Sequence, residues 1–159
     1  KDYPNSGIYA EKVLMNPKAD DNVKSDAQII IARAAIETGD EAKAKVAYAK
    51  VLAIAKGELA AEALYYDAYF KNKEGKFEAS NAAVQKIAKN YSSYKYFGAK
   101  GLILMAKNFY GLKDSYQATY ILENIIQNFT DYPDVVSEAK TELNAIKTEE
   151  AKTNSSITK

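Results

Sequence analysis

The chain has 159 residues and carries 22 Lys and Arg against 21 Asp and Glu, a net charge of +1. That balance supplies no field to hold nucleic acid, and no apolar run reaches the roughly 18 residues a membrane-spanning helix needs. There is no cysteine and no histidine, which excludes disulfides and thiolate chemistry and removes the commonest general base and transition-metal ligand.

The first predicted element is a helix within "YAEKVLMNP" (9–17), with apolar Tyr9, Val13 and Leu14 and a terminating Pro17. It reads as the second half of a hairpin whose first helix is missing or degenerate. Residues 1–24 are therefore expected to be a partial preceding repeat, and the chain a segment of a longer array. Helices are then predicted near 25–37, 41–56, 60–73, 77–90, 93–110 and 115–129. In the first of these, Ala27, Ile31 and Ala35 form an inward stripe with polar Gln28 beside it; Leu102, Met105 and Phe109 do the same in 93–110. After Pro133 one more helix is predicted over 133–152, with Asp134 as N-cap and a single apolar seam of Val136, Ala139, Leu143 and Ile146. One apolar face among Lys, Glu and Thr suits a capping helix. The polar "TNSSITK" (153–159) is expected to be a disordered tail.

A pattern recurs along these elements. "TGDEAKAKVAY" (38–48), "EGKFEASNAAV" (74–84) and "LKDSYQATYIL" (112–122) each place a tight polar turn before a small residue: Ala44, Ser80 and Ala118. An apolar residue follows four later (Tyr48, Val84, Leu122) and another three beyond that (Val51, Ile87, Ile125). The copies are spaced by 36 and then 38 residues, and Ala32, Ala68 and Ala106 stand twelve before each small position. Two antiparallel helices joined by so short a turn can close only where facing side chains are minimal, so Ala32–Ala44, Ala68–Ser80 and Ala106–Ala118 are expected contacts.

This arrangement resembles the tetratricopeptide repeat (TPR) superfamily over residues 25–132. Three departures stand out: the family's tryptophan is absent, the copies exceed the usual length of about 34 residues, and the third turn has its glycine displaced to Gly111. The resemblance implies an all-α, right-handed α-α superhelix of hairpins 25–58, 59–94 and 95–132 with a C-terminal capping helix. It implies a non-catalytic protein-interaction scaffold whose concave groove is lined by Arg33, Tyr65, Tyr69, Asn72, Lys100, Ile103, Lys107 and Tyr110. Tyrosines with cations around them suit a protein or peptide partner, the cations favouring an acidic or C-terminal segment. Ile29 and Arg33 stand where the carboxylate clamp of chaperone-cofactor TPRs needs Lys and Asn, which disfavours that ligand class. "AEALYYDAYFKNKEGKFEAS" and "LENIIQNFTDYPDVVSEAKTEL" are similar in texture to exported TPR proteins of Gram-negative bacteria, especially the C-terminal ends of long ones. That implies a periplasmic or outer-membrane-associated place in a cell-envelope assembly. Two alternatives remain open: a structural C-terminal end of a longer solenoid whose partner sites lie upstream, and an accessory domain of an enzyme.

No catalytic, cofactor or metal residue is nominated. Asp20-Asp21 and Glu149-Glu150 lack the apolar surroundings that would raise a carboxyl pKa. The acidic stretch 18–26 lacks the glycine and closing glutamate of a calcium loop. Gly98 and Gly101 lie three apart in a predicted helix and read as places of close packing, not as a phosphate loop.

Overall fold

The structure is a computed structural model that describes residues 3–157, with side chains described from 5 to 153. All of its elements are helices: α1 (Tyr3–Leu14), α2 (Asp21–Glu37), α3 (Glu41–Ile54), α4 (Gly57–Lys73), α5 (Phe77–Asn90), α6 (Lys95–Gly111), α7 (Ser115–Asn128) and α8 (Pro133–Ile157). Neighbours in sequence are neighbours in space: α1 packs on α2, α2 on α3, α5 on α6, α6 on α7 and α7 on α8, and α8 also reaches α6. The chain divides into two compact units, Lys1–Asp67 and Ala68–Lys159, and the division falls inside α4.

The recurring turn is one hydrogen-bond pattern written three times. After α2, the amides of Thr38, Gly39 and Asp40 donate to the carbonyls of Ala34, Ile36 and Ala35; after α4, those of Glu74, Gly75 and Lys76 donate to Phe70, Asn72 and Lys71; after α6, those of Leu112, Lys113 and Asp114 donate to Asn108, Tyr110 and Phe109. The crossed pair of bonds closing each helix needs one residue in the left-handed region. Gly39 (φ 75°) and Gly75 (φ 72°) supply it without strain, whereas Lys113 takes φ 69° with a side chain attached. The residue after it opens the next helix: Asp40 and Asp114 accept from the amides of Lys43 and Gln117 at 3.0 Å, while Lys76 makes no such bond.

The small residues at the recurring places all lie in the interior. Ala32, Ala44, Ala68, Ser80, Ala106 and Ala118 are all fully buried, as are Val51, Ile87 and Ile125 on the second helices. Ser80 Oγ donates to the carbonyl of Ala68 at 2.8 Å, which fixes that pair as facing one another.

Several expectations shift by a fraction of a turn. In α1, Ala10 is buried while Tyr9 and Val13 point outward, 67% and 38% exposed, because the contact with α2 uses the helix's small-residue side. In α6 the buried stripe is Ala99, Ile103 and Ala106; Leu102 and Phe109 pack on it half-buried. The seam of α8 is Val135, Ala139, Leu143 and Ile146, with Val135 fully buried in place of Val136. Asp134 is the second residue of α8, not its N-cap, and accepts from the Tyr96 hydroxyl at 2.9 Å. The polar tail expected from 153 is helical as far as Ile157; residues 158 and 159 lie outside those described. Gly111 is not a displaced turn glycine. It ends α6, and a Cβ there would come within 2.6 Å of the Phe77 ring.

Candidate functional site

The groove residues nominated from the sequence fall on α2, α4 and α6, and each unit holds its own share of them. In the first unit Arg33 forms a fork on Glu62, with Nε to Oε1 at 2.9 Å and Nη2 to Oε2 at 2.5 Å. The Glu62 side chain is only 5% exposed. Its desolvated carboxylate also accepts from the Tyr48 hydroxyl at 2.9 Å, so two donors compensate its burial. The bond to Glu62 raises the Arg33 pKa, with burial opposing it. Burial pushes the Tyr48 hydroxyl far above its ordinary value, and the Glu62 charge adds to this. Tyr48 stacks on Tyr66 with ring centroids 4.0 Å apart, and Tyr66 meets Tyr65 edge to face. Tyr65 itself is buried. Tyr65 therefore serves the interior of this unit, while Arg33, its side chain 52% exposed, sits at the surface and turns its guanidinium to the buried carboxylate of Glu62.

In the second unit Ile103 is 1% exposed and belongs to the core, because α8 lies against α6 and brings Val135, Ala139 and Leu143 into the same cluster. It offers no surface to a partner. Asn72 turns toward Asn108, donating to its Oδ1 at 2.7 Å. Asn108 is fully buried and donates in turn to Ser80 Oγ at 2.9 Å and Asn81 Oδ1 at 2.7 Å. With the bond from Ser80 to the Ala68 carbonyl, the second half of α4, the start of α5 and the last turn of α6 share one polar network. Sequence reading missed Asn108, a lone amide in an apolar stretch whose neighbours in sequence do not say which way it faces.

The lysines of α6 are engaged as well. Lys107 pairs with Glu142 at 2.8 Å and Lys100 pairs with Glu138. Together with Tyr96 and Asp134 they make a ladder in which α8 presents acidic groups at every fourth position, 134, 138 and 142, to the hydroxyl and ammonium groups of α6. Tyr69 is half-buried under the Lys73 ammonium, 5.6 Å from the ring centroid, and Tyr110 is half-buried at the end of α6. The surface here is tyrosine edges among neutralised ion pairs, in place of the cationic groove the sequence suggested.

Among the described residues no cluster of acids could hold a metal ion, and no helix is long and apolar enough to cross a membrane. Asp20, in the acidic stretch, is used as the N-cap of α2, accepting from the Val23 amide at 2.9 Å. Compared with models of known protein families and with curated proteins, the chain finds no match in either.

Proposed function

We propose that this chain is a non-catalytic protein-interaction scaffold of TPR type, a right-handed superhelix of three hairpins ended by α8 as a cap. The observation that carries the reading is the threefold turn, with the same hydrogen-bond pattern after α2, α4 and α6 and a fully buried small residue in the first turn of each following helix. A helical array of that kind offers continuous surface and no enclosed reaction chamber, which suits holding a peptide or docking a subunit. The partner surface in this reading is the face of α6 and the end of α4 that carries Tyr69 and Tyr110, bordered by Asn72, Lys100 and Lys107. The partner is a protein or peptide. Its negative charge would have to compete with Glu138 and Glu142 for the lysines, so net acidity is not the main determinant of binding. In this reading the assembly belongs to the cell envelope, a proposal supported by the texture of 61–80 and 122–143.

Affinity capture from the envelope fraction of the source cell, comparing wild type with Tyr69→Ala/Tyr110→Ala, tests this. The reading expects at least one partner to be lost with the double variant. Equal recovery of every captured protein would remove the tyrosine face as the partner surface.

A second reading, the structural end of a longer solenoid, is favoured by α1. Ile8 and Tyr9 on α1 and Met15 just after it are 51%, 67% and 81% exposed, apolar surface that a further helix could cover. Peroxide oxidation of Met15 distinguishes the two. In the source cell's own protein it should be protected if that surface is covered, and as fast as in the isolated chain if it is not.

A further inference from the structure

Helix α6 contains three glycines, and two of them have a packing reason. A Cβ on Gly101 would stand 3.1 Å from Val84 Cγ1, and one on Gly111 would meet the Phe77 ring at 2.6 Å. Gly98 has none: a Cβ there would find no atom within 4 Å, and its backbone is ordinary helix. The close packing expected of it from the sequence is absent. Glycine in a helix is unfavourable relative to alanine, so an unforced one breaks a local rule, and such breaks gather at functional places.

What Gly98 leaves open is a half-open cleft of about 380 Å³ in the second unit. Its floor is apolar, with Val84, Ile87 and Leu102, and aromatic rings of Tyr91, Tyr94, Phe129 and Tyr132 stand around it. At the rim lie Lys95 and Asp131, both exposed and of opposite sign. Neither forms an ion pair among the described residues, and the side-chain hydroxyls of Tyr91, Ser92 and Tyr94 have no hydrogen-bond partner there either. Pockets for free small molecules enclose most of their ligand. This one is half open, so a group seated in it would keep one side toward water, as the attachment point of a side chain requires.

We propose that the cleft is a socket for an aromatic side chain borne on a peptide, with Lys95 and Asp131 pairing with an acidic and a basic residue flanking it. Aromatic walls favour a ring by offset and edge-on contacts. The charges of both signs at the mouth complement a chain that carries both, and they select by pairing. The site uses none of the residues of the tyrosine face on α4 and α6, so either reading can fail alone.

The chain has no tryptophan, so an indole on a peptide is the sole indole emitter in a titration. The blocked tripeptide acetyl-Glu-Trp-Lys-amide, titrated with the full chain, should show a saturable blue shift of its emission. Gly98→Leu, which fills the cleft, should weaken that binding about tenfold or more, while Gly98→Ala should melt no lower than wild type. If Gly98→Leu does not fold, Asp131→Asn, in an exposed turn, carries the same test through a weaker affinity. Absence of a saturable shift, equal affinity for free indole, or unchanged affinity in the folded variant would each overturn the proposal.

Discussion

Ser80 Oγ and the carbonyl of Ala68 are joined at 2.8 Å, and the same hydroxyl accepts from Asn108 Nδ2 at 2.9 Å. One small side chain thus closes the α4–α5 hairpin and anchors the fully buried amide of α6. Ala44 and Ala118 occupy the equivalent places without a hydroxyl, so at this position the second hairpin has a hydrogen bond in addition to close approach.

Ser80→Ala leaves the space filled but strips Asn108 of an acceptor. Leaving a buried polar group short of a partner costs about 1–3 kcal/mol. Urea unfolding should show that loss in Ser80→Ala. Asn108→Leu removes the network's centre and leaves Asn72 and Asn81 to find water, which both can do from less buried positions.

Lys113→Gly should stabilise the chain. The lysine adopts φ 69° where the two other turns use glycine. Relieving a left-handed non-glycine residue is worth about 1 kcal/mol, partly offset by the greater freedom of glycine in the unfolded chain. Gly75→Ala should do the reverse. Melting temperatures moving the same way in both variants would refute this account of the turns.

Gly111→Ala should destabilise by about 1–3 kcal/mol, the usual cost of overpacking, because the Phe77 ring lies 2.6 Å from where the methyl would be. Gly111→Ala/Phe77→Leu should recover much of that loss in the same unfolding assay.

Alkaline stability reports on Tyr48. Burial raises its pKa above the ordinary 10.0, so above that pH the unfolded chain releases a proton that the folded one keeps. The contribution is complete below about pH 10 and is lost as pH rises, at up to about 1.4 kcal/mol per pH unit. Tyr48→Phe lacks the bond to Glu62 and should be less stable at pH 7, yet its stability should decline less steeply from pH 10 upward, as read by denaturant unfolding across the range.

The ladder between α6 and α8 neutralises the ammonium groups of Lys100 and Lys107. Glu138→Gln/Glu142→Gln should cost less than about 1 kcal/mol for each pair, since these groups are partly exposed and screened. The double variant should bind a poly-glutamate peptide more tightly than wild type at low salt, with the gain disappearing at high salt. Equal binding by both proteins would mean that the lysines are not held in check by α8.

Sequence reading reached the hairpins because their needs are local. A left-handed turn residue, a polar cap and a small side chain four positions on must each be met within a few residues, so they recur visibly. The partners of the groove cations are not local. Glu62 lies 29 residues from Arg33 and Glu138 lies 38 from Lys100, and a one-helix pattern cannot say which neighbour will answer a charge. Ile103 shows the same limit. Its place in the groove came from the resemblance, counted along one helix from Ala106, while its burial depends on α8 lying against that helix. Asn108 escaped notice because a lone amide in an apolar stretch looks alike whether it faces water or a buried network.

The three corners also bear on how such a chain can change length. Each is built from the same amide-to-carbonyl connections, so a slip of one period between copies of the gene would rejoin the backbone at an equivalent bend. Copies could then be gained or dropped by unequal crossing-over without a new bend having to be invented, and spacings of 36 and 38 residues are both compatible with the same corner because the extra residues lie between the bends.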